Sequence, residues 1–300
     1  MKRRSIFAKG LDTERCGGFY TVESSSGIYE CRVRGVFRKK GITPVAGDFV
    51  EFSITDETAK EGWIEEIEER QNFFVRPPVA NVNQIAIVIA GTSPEPDFLL
   101  VDKLLITAER NGITPLIVIN KIDLINEQEL EEVKNIYVGT GYQVVAISKV
   151  GKRGYDELHE KLKGHRTVFA GQSGVGKSTI LNNIMDAWVM ETGEMSRIQR
   201  GKHTTRHVQL LPLDNDGYVV DTPGFSSLTL EGIEHAKLSS MYPEFIRLEG
   251  MCRFSGCSHI KEPGCAVKDS VQSGEISRVR YECYRRLYEE LKLQYENRYR

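Results

Sequence analysis

The most regular feature of this chain is an alternation of strand-length apolar runs with segments whose apolar residues recur at helical spacing. It runs from "IAIVIAG" (85–91) through "PDFLLVDKLLITAERNG" (96–112), "TPLIVINK" (114–121), "NEQELEEVKNIYV" (126–138), "YQVVAIS" (142–148) and "GYDELHEKLK" (154–163). "RTVFAG" (166–171) and "KSTILNNIM" (177–185) continue it, and "HVQLLPL" (207–213) with "GYVVDTPG" (217–224) reads as a strand pair. Short apolar runs without a polar face predict strands covered on both sides, and the periodic segments predict the covering helices. The pattern predicts a largely parallel sheet with helices on both faces.

Before residue 70 the period changes. "GGFYTVE", "IYECRVRG", "DFVEFSI" and "GWIEEIEE" are short alternating stretches separated by turn residues at Ser24–Gly27, Lys40-Gly41 and Ala46–Asp48. Such spacing predicts a small β-barrel; five strands would fit an OB-fold, with an SH3-like barrel as the alternative. "RPPVANVNQ" (76–84) reads as a linker because of its two prolines. After about residue 230 the alternation fades into a loop-rich region holding Cys252, Cys257, His259 and Cys265, followed by one long helix predicted to be capped by Ser273. Tyr281, Tyr284, Tyr288 and Tyr295, with Leu287 and Leu291, form a stripe on that helix suited to core packing, with base stacking as the lesser use. The fold class is thus multidomain α/β: a barrel over 1–72, a nucleotide-binding α/β domain over 73–229 and a helical module over 230–300.

Composition narrows the class. Of 300 residues, 40% are hydrophobic and 27% charged, which is ordinary for a soluble globular protein. The basic start "MKRRSIFAKG" has no apolar run behind it, and the longest apolar runs fall far short of the roughly 20 residues that span a bilayer. A cytoplasmic protein without a membrane segment is expected. The net charge of −2 hides a segregation: residues 1–40 carry ten Lys/Arg against four acids, and residues 41–70 two against nine. A basic face of this kind is a footprint for phosphate backbones, or simply a solvated surface. Six cysteines are too few for a disulfide scaffold, and Cys16, Cys31 and Cys283 stand alone.

The motifs add chemistry. "GQSGVGKST" (171–179) has the form Gly171-x4-Gly176-Lys177-Ser178, directly after an apolar strand and at the mouth of a helix. Backbone N–H groups of Gly171, Gln172, Ser173, Gly174, Val175 and Gly176 can close on phosphates at the positive end of the helix, which continues through Thr179. Lys177 is placed to reach the β- and γ-phosphates and the Ser178 hydroxyl to ligate Mg²⁺. Asp221 in "DTPG" would hold the same ion through water, and the Gly224 N–H would sense the γ-phosphate. Between these lies "RGKHTTRH" (200–207), in which Thr204 or Thr205 can complete the Mg²⁺ shell; the sequence does not choose between them.

Asn120-Lys121-Ile122-Asp123 ends a parallel strand, where ligands bind in such sheets. The Asp123 carboxylate can accept from guanine N1–H and the 2-amino group, a donor pair that adenine lacks. Ser148 and Lys149, after the next strand, can cover the other edge of the base. A GTP site is therefore complete, but in the order base, base cover, phosphate loop, switch, Asp-x-x-Gly. Moving the cut point of a cyclic chain interconverts this order and the usual one while each element keeps its place.

With these residues in view, the chain resembles the circularly permuted, small-ribosomal-subunit-dependent GTPases of the RsgA (YjeQ/YloQ) family over essentially its whole length. The resemblance implies an OB-fold, a GTPase domain and a zinc module, and GTP/GDP turnover late in small-subunit maturation with rRNA and the subunit as partners. It implies a structural Zn²⁺ on Cys252, Cys257, His259 and Cys265, a set of thiolates and imidazole that suits tetrahedral zinc. It also implies a catalytic His203. The residue after "DTPG" is Phe225, where Ras-like enzymes carry a water-orienting Gln, so slow intrinsic turnover is expected. A monomer is expected. The competing readings are a P-loop phosphotransferase, which "NKID" disfavours, and an RNA-binding scaffold with structural nucleotide.

Overall fold

A computed structural model describes residues 6–35, 37, 41–75, 77–192, 208–213, 216–225 and 232–298. In chain order the strands are β1 (Ile6–Cys16), β2 (Phe19–Ser24), β3 (Gly27–Val33), β4 (Phe49–Asp56), β5 (Glu61–Ile67), β6 (Phe73–Val75), β7 (Pro78–Ala80) and β8 (Gln84–Ala90). The helix α1 (Phe98–Arg110), β9 (Thr114–Asn120), α2 (Glu127–Asn135), β10 (Gln143–Ala146), α3 (Tyr155–Leu162), β11 (Arg166–Ala170) and α4 (Lys177–Thr192) follow. The chain closes with β12 (Gln209–Pro212), β13 (Tyr218–Phe225), α5 (Pro243–Ile246), α6 (Ala266–Ser273) and α7 (Arg278–Arg298). These elements fall into two compact units, one of residues 1–84, 159–169 and 184–225, the other of residues 85–158, 170–183 and 226–300.

In the first unit β1 pairs antiparallel with both β2 and β4, β2 with β3 and β4 with β5, while β3 and β5 run parallel. That circuit closes a five-stranded barrel of the OB type and leaves no free sheet edge. Alternation along the strands turns Tyr20, Val22, Tyr29, Cys31, Val50, Phe52 and Ile64 inward. Beyond the barrel β1 meets β12, which pairs antiparallel with β13. The stretch read as a linker is more ordered than its prolines suggested. Pro78 opens β7, which pairs with β6, and Asn72 and Asn81 tie the ribbon through side-chain bonds to Val82 and to Gln71 and Gly47. A proline at the first position of a strand removes no interior ladder bond.

In the second unit the strand order is β10-β9-β8, with β9 and β10 parallel. Every residue of β8 is buried, as an apolar run without alternation predicts. The helix α1 starts at Asp97, whose carboxylate accepts from the Leu100 N–H, and α2 starts with a reciprocal capping box between Asn126 and Glu129. Ser273 ends α6 instead of capping the last helix. Gly274 takes φ 83°, which terminates α6, and α7 begins at Arg278. Tyr281, Tyr284, Leu287 and Leu291 of α7 pack into a core with Leu238, Tyr242, Phe245, Val267 and Ile276, so the stripe serves packing there. Tyr295 lies near the helix end and is 44% exposed. No helix among the described residues is long and apolar enough to cross a membrane.

Candidate nucleotide site and metal centre

The end of β9 and the phosphate loop are joined by hydrogen bonds although 55 residues separate them. Asn120 is buried; its Nδ2 donates to the Val175 carbonyl at 2.8 Å, and its Oδ1 accepts from the Lys121 N–H at 2.8 Å. Lys121 takes a left-handed backbone conformation (φ 63°), and its Nζ donates to the Gly174 carbonyl at 2.9 Å and to the Ser93 carbonyl. Asp123 follows on a single 3-10 turn. Its Oδ1 accepts from the Ser148 hydroxyl, and Ser148 Oγ accepts from the Val150 N–H at 2.9 Å. Ser148 is fully buried while Lys149 is exposed. The Asp123 carboxylate is thus held by the loop that follows β10.

The glycines of the phosphate loop answer two different needs. Gly171 takes φ 135°, and a Cβ there would lie 2.2 Å from the Val88 carbonyl oxygen, so the loop leaves the sheet where no side chain fits. Gly176 takes φ 98°, and its Cβ would lie 2.4 Å from Asn120 Nδ2, so the tie to the base motif depends on a bare backbone. Val175 is buried, whereas Ser173, Gly174, Ser178 and Thr179 are exposed at the mouth of α4. Lys177 Nζ donates to the carbonyls of Gly171 (2.7 Å) and Gln172 (2.8 Å), and burial lowers its pKa. Gln172 Oε1 is buried without a partner among the described residues. Asp221 and Gly224 belong to β13, with Asp221 opposite Gln209 in the ladder. His203, Thr204 and Thr205 lie outside the described residues.

The cysteines and the histidine converge. The donor atoms of Cys252, Cys257, His259 and Cys265 all lie within 4.8 Å of one another. A tetrahedral zinc needs edges of about 3.8 Å between sulfurs and about 3.5 Å between sulfur and nitrogen. The Cys252–Cys265 sulfurs are 4.0 Å apart, and His259 Nδ1 lies 3.7 Å from Cys252 Sγ and 3.4 Å from Cys265 Sγ. The residues therefore fit the ion in geometry and donor type. Burial pushes the Cys257 thiol up to about 12 and raises Cys265 as well, so these thiols need a cation to become thiolates. Burial also lowers His259, which keeps the imidazole neutral as a ligand must be.

Supporting residues were not marked by any motif. Glu262 accepts from the Ser258 hydroxyl (2.7 Å) and from the N–H groups of Ser258, Ile260 and Lys261. Burial works to raise this carboxyl, but those bonds outweigh it and hold it at about 2. Tyr281 and Tyr284 donate to the carbonyls of His259 and Ser258 at 2.8 and 2.7 Å. Behind them Arg280, 2% exposed, binds Asp102 of α1 and Glu244 of α5, and Tyr242 OH donates to Asp102 at 2.9 Å. His235 is wedged edge-on between Tyr288 and Tyr295 with its Nδ1 buried.

Comparisons agree with this geometry. The RsgA GTPase family model matches residues 67–231 and the RsgA N-terminal domain model residues 9–64. The Small ribosomal subunit biogenesis GTPase RsgA of Ruminiclostridium cellulolyticum is 54% identical over 94% of this chain and 93% of its own length. The protein of that name from Alkaliphilus metalliredigens is 43% identical over 95% and 98%. Among solved structures, YjeQ from Thermotoga maritima matches with a TM-score of 0.78 at 37% identity, covering 95% of this chain and 99% of its own. YloQ, a circularly permuted GTPase, matches with a TM-score of 0.79 at 36% identity over 98% of both chains. A base motif that precedes its phosphate loop in sequence yet is bonded to it in space is what a permuted chain requires, and this chain belongs to the RsgA GTPase family.

Proposed function

We propose that this protein hydrolyses GTP as a maturation factor of the small ribosomal subunit, the role its relatives' name states. The observation that carries the reading is the bond from Asn120 to the Val175 carbonyl, which unites guanine recognition with phosphate binding. Asp123, steadied by Ser148, accepts from the guanine N1–H and 2-amino group; Ile122 and Lys149 flank the base. Lys177 leaves the carbonyls of Gly171 and Gln172 for the β- and γ-phosphates, where an anion favours its charged form against burial. Ser178 and one of Thr204 and Thr205 would ligate a magnesium ion directly and Asp221 would hold it through water; the ion would neutralise charge on the phosphates when bound. Gly224 N–H senses the γ-phosphate.

Phe225 has no group with which to hold water; the family resemblance gives that task to His203, which orients the attacking water when the small subunit stimulates turnover. The barrel (1–72) contacts rRNA through its basic segment, residues 73–229 turn over GTP, and residues 230–300 are stabilised by zinc on Cys252, Cys257, His259 and Cys265. The protein is a cytoplasmic monomer in this reading. The test is GTP hydrolysis alone, with purified small subunits, and with large subunits as control. Selective acceleration by small subunits is expected, and its absence removes the proposal. His203→Ala is expected to abolish the acceleration while GTP binding persists; full acceleration in that variant reassigns the water-orienting role.

A further inference from the structure

Three of the four residues that converge on the metal centre also line an open cavity. Cys252, Cys257 and His259 border a space of about 490 Å³, whereas Cys265, 1% exposed, is not part of its lining. Phe245, Ile246 and Phe254 make much of the remaining lining apolar. Ile246 is 48% exposed and Phe254 45%, so an apolar surface open to solvent lies beside two half-buried cysteines. A purely structural zinc needs no such approach to its sulfurs.

Three thiolates and a neutral imidazole around a divalent ion leave a negative charge on the cluster, held on its sulfurs. Such sulfurs are nucleophiles at neutral pH, where a free thiol is mostly protonated. The three do not stand alike. Cys257 Sγ accepts the His259 N–H at 3.4 Å, and a donor of this kind draws on the sulfur lone pair. Cys265 is out of reach. Cys252 Sγ meets its fellow ligands, His259 Nδ1 and Cys265 Sγ, and accepts from no backbone N–H among the described residues. It is the sulfur that is both reachable and undamped.

Charge selects the reagent. Glu249 is the one carboxylate in the lining, and no lysine or arginine joins it. Together with the charge of the cluster it turns anions away, while uncharged molecules are retained by the apolar surface of Ile246 and Phe254. We propose that Cys252 is a covalent modification site for uncharged α,β-unsaturated carbonyl compounds with an apolar body. The sulfur lone pair adds to the β-carbon, an S–C bond forms, and the C=C π pair moves onto the carbonyl oxygen. Water protonates the resulting enolate, so no outside electron donor or acceptor is needed. The product is a neutral thioether, which holds zinc far less tightly than a thiolate, so modification costs the segment around residues 252–265 its metal. The inference rests on the reading above only for the zinc.

The test uses the full chain loaded with zinc and less than one equivalent of N-phenylmaleimide, an uncharged reagent of this class. Trypsin places the three cysteines on separate peptides, Leu248–Arg253, Phe254–Lys261 and Glu262–Lys268, so mass spectrometry ranks them directly. Among these three the Cys252 peptide is expected to carry the first label, with zinc released in proportion and read by a chromogenic chelator. The analogue with a carboxylate on its phenyl ring has the same reactive group and should label Cys252 about tenfold more slowly. Glu249→Gln, which removes no metal ligand, should keep its zinc and narrow that gap. First labelling at Cys257 or Cys265 overturns the proposal, as does a metal-loaded chain that takes no label on any of the three peptides. Equal rates for the two reagents at Cys252 overturn it too. Zinc content is measured before any reagent is added: a chain that carries no metal removes the zinc reading and this inference together, whereas a loaded chain labelled elsewhere removes this inference alone.

Discussion

Asn120 and Lys121 hold the phosphate loop through its carbonyl oxygens, whereas Cys252, Cys257, His259 and Cys265 come together side chain to side chain around a point suited to a cation. Both regions are loops carried on the same compact unit, yet they are stabilised by opposite means. Bonds to main-chain carbonyls keep the loop path while leaving its N–H groups available to a ligand that arrives and leaves. A ligand cluster backed by buried charges has no such reserve: remove one member and the others are left uncompensated. The difference suits a site that cycles nucleotide and a module that keeps one shape. Removing single members from each region tests the contrast.

The largest effect is expected from the metal. Chelation, or Cys265→Ser at a residue that is 1% exposed, should release zinc and unfold the segment around residues 252–265, a loss above about 5 kcal/mol. Zinc release and limited proteolysis report it. Binding of a fluorescent guanine nucleotide should survive within about tenfold, since no nucleotide contact runs through the cluster. Loss of nucleotide binding together with zinc would show one cooperative unit and erase the contrast.

Arg280 comes next. Arg280→Ala strands Asp102 and Glu244 in the interior and should cost about 3–5 kcal/mol, read as a lower denaturant midpoint at unchanged slope. Replacing all three charges together (Arg280→Met, Asp102→Asn, Glu244→Gln) should recover most of the loss, because the penalty belongs to unpaired charge. A triple variant as unstable as Arg280→Ala would mean that packing against Tyr242, 4.5 Å from the guanidinium, is what matters. In the nucleotide loops Asn120→Ala removes the bond to the Val175 carbonyl and the one accepted from the Lys121 N–H. It should weaken nucleotide binding by about 1–3 kcal/mol while shifting the midpoint much less than Arg280→Ala does.

What the sequence disclosed about these regions follows the same division. The phosphate loop, the base motif and the cysteine spacing were legible because the chemistry sits on residues a few positions apart. The Ser93 carbonyl that receives Lys121 was not, since any residue offers a carbonyl and only the path of the chain brings this one near. Nor was the Arg280–Asp102–Glu244 cluster, whose partners lie 178 and 36 residues away. An arginine in a helix otherwise marked by aromatic residues gives no sign that it points inward. The break between α6 and α7 was missed because Ser273 is as good a cap as it is a last helical residue, and the left-handed Gly274 decides between them.

The smallest effect, and the one that resolves the base site most finely, is expected at Ser148. Its hydroxyl holds one oxygen of Asp123 and is itself held by the Val150 N–H, so Ser148→Ala frees the carboxylate without opening a large cavity. Stability should change little, and guanine nucleotide binding should weaken by about 0.5–1.5 kcal/mol, the worth of one hydrogen bond. Inosine nucleotides, which lack the 2-amino group, sharpen the measurement. If Asp123 accepts from both N1–H and the 2-amino group, the unaltered protein prefers guanosine to inosine diphosphate. A carboxylate free to turn meets both donors less well, so Ser148→Ala should narrow that preference, with the affinity for inosine falling less than that for guanosine. Equal losses for the two nucleotides would mean that Ser148 serves the loop and not the carboxylate. The bond from Ser148 to Asp123 would then be as purely structural as those around Arg280.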